Sequence, residues 1–142
     1  MRVGIAGYGV VGKTRHQSIE SNTSHKVTAI SESSEEARKF IPEGLEVYND
    51  YESLIANADI DVIFISLPNK FAAEATCLSL QNGLHVFCEK PPARTHAELL
   101  EVEKQSLNFP ELKLMYGFNH RFHLSVEEAK SIIDSNSLGR LI

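Results

Sequence analysis

The chain has 142 residues, 42% hydrophobic and 23% charged, and carries a net charge of −5 from 14 basic and 19 acidic residues. That is the size of one domain, long enough to bury roughly two-thirds of the surface its unfolded chain exposes. The acidic balance leaves no basic stripe to neutralise phosphates and no apolar run reaches membrane-spanning length, so neither a nucleic-acid nor a membrane partner is expected. The opening "MRVGIAGYG" is too short and too rich in glycine for a signal peptide, which points to a cytoplasmic protein. Cys77 and Cys88 lack metal-ligand spacing, so no metal site is expected and both are read as small buried thiols. Cys88 adjoins Glu89-Lys90, where a nearby cation would favour a thiolate.

In chain order, Arg2 to Ala6 is a β-rich run ending in glycines, and Val10 to Ser21 has helical character that fades into the turn "SNTS". Lys26 to Ser31 predicts a strand. Ser34 to Phe40 predicts a helix with Ala37 and Phe40 on one face, stopped before Pro42. Glu46 to Tyr48 is a short strand, followed by a helix over Asp50 to Ala56 capped by Asn49 or Asp50. "DVIFIS", Asp61 to Ser66, is a continuous apolar run of the kind buried on both faces. A helix over Asn69 to Gln81, with Asn69 as its cap, stops at Asn82-Gly83. Leu84 to Cys88 is the next strand. Thr95 caps a helix to about Leu107 with Glu98 as its capping-box partner. Leu112 to Tyr116 is a sixth strand, and Ser125 to Asn136 a last helix.

Six strands alternating with helices imply parallel pairing with right-handed crossovers. The expected fold class is α/β: a doubly wound parallel sheet of the Rossmann type, about six strands in three α/β/α layers. Residues 1–121 are expected to form a dinucleotide-binding domain. Residues 122–142 are expected to form a terminal helix leading toward a C-terminal substrate domain that these residues do not include. "NSLGRLI" ends on Leu141 and Ile142, where a further strand would begin.

"GIAGYGVVG" contains Gly7-x-Gly9-x-x-Gly12 between a strand and a helix, the context this pattern needs to bind a dinucleotide. Gly9 lets pyrophosphate approach the backbone, Gly12 lets the helix pack on the strand, and Tyr8, Val10 and Val11 complete the loop. The helix start then offers free N–H groups and a partial positive charge. Glu32 lies 20 residues after Gly12, at the end of the second strand, where an acid binds the adenosine ribose hydroxyls. Its carboxylate would repel a 2′-phosphate. NAD is therefore expected; NADP is not excluded, because Arg15 and Arg38 stand within reach of a phosphate. Two more marks fall at carboxyl ends of strands, the ligand edge of such a sheet. They are "SLPN", Ser66, Leu67, Pro68 and Asn69, and the Glu89-Lys90 pair. A surface Glu–Lys pair would contribute little stability. A lysine beside a nicotinamide would instead hydrogen-bond a substrate hydroxyl.

The glycine pattern, the strand-end acid, "LPN", "GLHVFCEKPPA" and "GFNHRF" occur in this order. Together they resemble the N-terminal half of the Gfo/Idh/MocA oxidoreductases, the family of glucose–fructose oxidoreductase and inositol dehydrogenase. The resemblance implies a hydride transfer between a nicotinamide cofactor and a sugar, polyol or nucleotide-sugar hydroxyl. It makes Lys90 the catalytic lysine, next to Glu89, with the Lys90–Pro91 bond often cis. It places Asn119 and Arg121 near the nicotinamide end. It also assigns the usual base, a histidine, to a second domain. Ala72 departs from the pattern, standing where many members have histidine. His120 is a local candidate for a base; His123, His16, His85 and His96 are expected to be structural or exposed. Phe122, Val126, Ala129, Ile132 and Ile133 recur at helical spacing. Their stripe covers the domain's own sheet, or else lacks a partner and drives self-association into a homo-oligomer. The competing class is a non-catalytic NAD-binding regulatory or sensor module.

Overall fold

The computed structural model describes residues 1–22 and 24–140. Thr23 of the "SNTS" turn and the anticipated strand start at Leu141 and Ile142 lie outside the described residues. The elements are β1 (Arg2–Ala6), α1 (Val10–Asn22), β2 (Lys26–Ser31), α2 (Glu35–Arg38), β3 (Glu46–Tyr48), α3 (Tyr51–Asn57), β4 (Val62–Ile65), α4 (Asn69–Gln81), β5 (His85–Cys88), α5 (His96–Asn108), β6 (Leu114–Tyr116), a 3₁₀ turn (Asn119–Phe122) and α6 (Leu124–Asp134). All strand pairs are parallel, in the order β3-β2-β1-β4-β5-β6. This is the expected doubly wound sheet, and its order reverses between β1 and β4, where such sheets open a ligand crevice.

The apolar runs are explained by burial on both faces. Val3, Ile5, Val27 and Ile30 pack with Ile19 of α1 on one side. Ala6, Ile63, Ile65, Val86 and Cys88 pack with Leu54 of α3 and with Ala72, Ala75 and Leu80 of α4 on the other. Along β1 the two sets alternate, as the period of two in a strand requires.

Two local expectations change and one open alternative is decided. The helix predicted over 34–40 is a single turn: Ser34 caps it, accepting from the Ala37 N–H at 3.2 Å, and the chain leaves it ahead of Pro42. Phe40 is consequently exposed, with the Lys13 ammonium 5.4 Å from its ring centroid. Asp50, not Asn49, caps α3, accepting from the Ser53 N–H at 2.6 Å. Pro68, not Asn69, occupies the cap position of α4, and no side chain closes that first turn. Thr95 does cap α5, accepting from the Glu98 N–H at 3.2 Å, while the Glu98 carboxylate accepts from the Arg94 N–H at 2.8 Å.

The last helix does not cover the sheet. Phe122, Val126, Ile132 and Ile133 are all exposed, and α6 packs chiefly on the 3₁₀ turn that precedes it. β6 is the edge strand of the sheet, and the 3₁₀ turn separates it from α6.

Candidate functional site

The β1–α1 loop is fixed by backbone. The Gly7 N–H donates to the Ser31 carbonyl at 2.9 Å, and the Ser66 N–H donates to the Ala6 carbonyl at 2.8 Å. Gly7 has φ +87°, a left-handed conformation suited to glycine, and a Cβ there would lie 2.8 Å from the Ser66 carbonyl oxygen. A Cβ on Gly12 would run into the Gly7 carbonyl oxygen, so α1 sits directly on the loop. Gly9 is different: its missing Cβ faces open space, with nothing within 4 Å. No acid occupies the first turn of α1, so nothing within the helix offsets the positive end of its dipole.

Glu32 closes the loop from the β2 side. One carboxylate oxygen accepts from the Tyr8 N–H at 3.0 Å and the other from the Ser34 N–H at 2.9 Å. The carboxylate oxygens retain lone pairs for further donors. Gly7, Gly9, Glu32, Ser66, Leu67 and Pro68 border one cleft of about 610 Å³. Its far wall was not foreseen: Asn49, Asp50 and Tyr51 at the start of α3, and Phe71 of α4, whose ring lies 5.9 Å from that of Tyr51. The β3–α3 turn is another carboxyl-end loop, and that topological position was the available signal.

Several anticipated residues stand differently. The Tyr8 ring is buried and turned toward α1, its hydroxyl 2.7 Å from His16 Nδ1, so only its backbone serves the loop. Val10 and Val11 are exposed on the first turn of α1. Asn69 is exposed and lies outside the cleft wall, and Ala72 is buried in the core. Neither arginine considered for a phosphate is free. Arg38 donates to the Glu32 and Ser33 carbonyls at 2.8 and 3.2 Å. Arg15 binds Glu89, Nε to Oε1 at 2.6 Å and Nη2 to Oε1 at 2.5 Å, with its guanidinium 5.2 Å from the Phe87 ring centroid. Glu89 therefore pairs with α1 and not with Lys90, because its half-buried carboxylate gains more from a bidentate-capable arginine than from a solvated ammonium.

Lys90 follows, with a cis bond to Pro91. It lines a second cavity of about 420 Å³ with Phe118, Asn119, His120, Arg121 and His123. His123, expected to be structural or exposed, is exposed and also lines this cavity, its ring stacked 5.0 Å from that of His120. His85 accepts from the Lys113 N–H at 3.0 Å, and His96 begins α5.

Cys88 is buried, and burial raises its thiol pKa to about 11 against the small lowering effect of Thr76. The neighbouring lysine does not activate it. Native protein at pH 8 should therefore alkylate at Cys88 about two orders of magnitude more slowly than a free cysteine. Mass spectrometry after iodoacetamide, with and without urea, checks this; equal labelling in both would contradict the burial.

Residues 1–107 match the family described as "Oxidoreductase family, NAD-binding Rossmann fold", GFO_IDH_MocA. D-glucoside 3-dehydrogenase of Escherichia coli K12 is 28% identical over 145 residues, 99% of this chain and 41% of that protein. Inositol 2-dehydrogenase of Salmonella typhimurium LT2 is 28% identical over 146 residues, 99% of this chain and 43% of its own length. The chain thus spans about two-fifths of the curated relatives it matches. Among solved structures, scyllo-inositol dehydrogenase of Lactobacillus casei with bound NAD(H) and scyllo-inositol superposes with a TM-score of 0.87 at 29% identity, covering 98% of this chain and 42% of that one. Myo-inositol 2-dehydrogenase of Lactobacillus plantarum gives 0.91 at 29% identity, covering all of this chain and 43% of that one.

Proposed function

The chain belongs to the Gfo/Idh/MocA oxidoreductase family, an NAD-binding Rossmann fold, and from that premise we propose that it holds the cofactor for a dehydrogenase of sugar, polyol or nucleotide-sugar hydroxyls. The observation that carries this reading is the placement of the two cavities. Both open at the carboxyl ends of the strands, one bordered by the glycine loop and Glu32, the other by Lys90.

The residues fit a dinucleotide. Gly9 leaves its side open for pyrophosphate, and the N–H groups of Val10, Val11 and Gly12 face it from the start of α1. Glu32 takes the adenosine ribose hydroxyls, with Ser66, Leu67 and Pro68 along the cleft between the two ends and Asn69 exposed beyond its wall. Asn119 and Arg121 stand at the nicotinamide end, where Glu89 holds the lysine turn to α1. Bound NAD supplies the hydride acceptor. The Lys90 ammonium donates a hydrogen bond to the carbinol oxygen and stabilises its alkoxide character as the C–H bond breaks. The hydroxyl proton passes to a histidine of a substrate domain that follows residues 1–121, with 122–142 as the lead into it. The exposed apolar stripe of α6 supports that division.

NADH fluorescence titration tests the reading. NADH should bind more tightly than NADPH, and Glu32→Ala should weaken NADH by about 10- to 100-fold, the loss of one or two charge-assisted hydrogen bonds. NADPH should change far less, because the repulsion of its 2′-phosphate disappears with the carboxylate. Tighter NADPH binding by the unaltered chain would refute the role of Glu32. Binding without oxidation of any polyol by the longer protein would instead make this a non-catalytic NAD-binding module.

A further inference from the structure

We infer that the substrate served by the Lys90 cavity carries an anionic group, a carboxylate or a phosphate, which Arg121 binds while Lys90 engages the reacting hydroxyl. The inference rests on the cofactor reading above and adds the substrate's charge. The chain has 19 acidic residues against 14 basic ones, yet none of the acids lines this cavity. Its polar wall is Lys90, Asn119, His120, Arg121 and His123, all of which can present N–H donors.

The nearest acid in sequence, Glu89, is already neutralised by Arg15. Glu89 packs close to Gly117, where a Cβ would lie 2.9 Å from Glu89 Oε2. Among the described residues, neither Lys90 nor Arg121 has an ion-pair partner. Both cations are exposed at the wall of one cavity that no acidic side chain lines. A carboxylate or phosphate meets this all-donor wall and matches the planar fork of arginine, whereas a neutral polyol uses neither charge.

Nuclear magnetic resonance on the ¹⁵N-labelled chain tests the inference at constant ionic strength. D-glucuronate, D-glucose 6-phosphate and D-glucose are titrated with and without saturating NADH, following the amides of residues 117–123. At least one anionic sugar should give saturable shifts at a concentration tenfold or more below that of D-glucose, and the better of the two identifies the group. Arg121→Met should weaken that anion at least tenfold, and Arg121→Lys by less than threefold. Equal response to D-glucose, shifts that do not saturate, or an unchanged affinity in Arg121→Met would overturn the proposal. Failure of NADH to bind would refute the cofactor reading alone, since the titration without NADH still decides the anion.

Discussion

Replacing Gly12 with alanine should lower folding stability by about 3 kcal/mol and abolish measurable NADH binding, while Gly9→Ala should leave stability within about 1 kcal/mol and still lose binding. The two glycines sit three residues apart in one loop, yet their surroundings are opposite. A methyl group on Gly12 meets the Gly7 carbonyl, a backbone atom in a turn held by Gly7 and Ser66 hydrogen bonds. Relief requires α1 to move off β1, and Ile19 of α1 is buried against Val3 and Ile5. A methyl group on Gly9 meets nothing in the protein. It projects into the opening where the proposed site brings pyrophosphate against the backbone. Urea melts paired with NADH titrations separate the two effects. A Gly9→Ala protein that binds NADH normally would show that the cofactor does not approach this loop.

The second large effect concerns turnover. In a protein that joins this chain to a substrate domain, Lys90→Met should lower kcat by about 10²–10³-fold, the usual effect of removing a donor to a developing oxyanion. NADH affinity should fall by less than tenfold, because the glycine loop and Glu32 lie in the other cavity. Lys90→Arg should not restore the rate: a planar fork cannot place its charge where a compact ammonium does. Stopped-flow hydride transfer on a polyol substrate reads the step directly. A rate within fivefold of the unaltered protein would remove Lys90 from the chemistry.

The sheet was legible because its strands obey a simple rule. A strand buried on both faces must be apolar, and Val62 to Ile65 and Val86 to Cys88 are. The glycine loop and Glu32 were legible because both belong to one βαβ unit, where spacing along the chain fixes spacing in the fold. The far wall of the cleft was less visible, since Asn49 to Tyr51 and Phe71 meet only through the strand order. Arg15 illustrates the limit. In sequence it is one cation in a polar helix, and its partner Glu89 is 74 residues away. Nothing local distinguishes a phosphate ligand from a carboxylate ligand there. The short α2 also escaped, and the choice left open for the α6 stripe could not be made, because periodicity reports which face is apolar but not whether anything covers it.

The Arg15–Glu89 contact has a bearing on how such chains diverge. Both side chains are largely shielded, at 22% and 13% exposure, so losing either one alone leaves a poorly solvated charge. A recombination event with its crossover anywhere between α1 and β5 separates the two partners. Hybrids joining this chain to a relative should therefore tolerate junctions before residue 15 or after residue 89 better than junctions between them. The segment from the glycine loop to the lysine turn is in that sense one heritable piece.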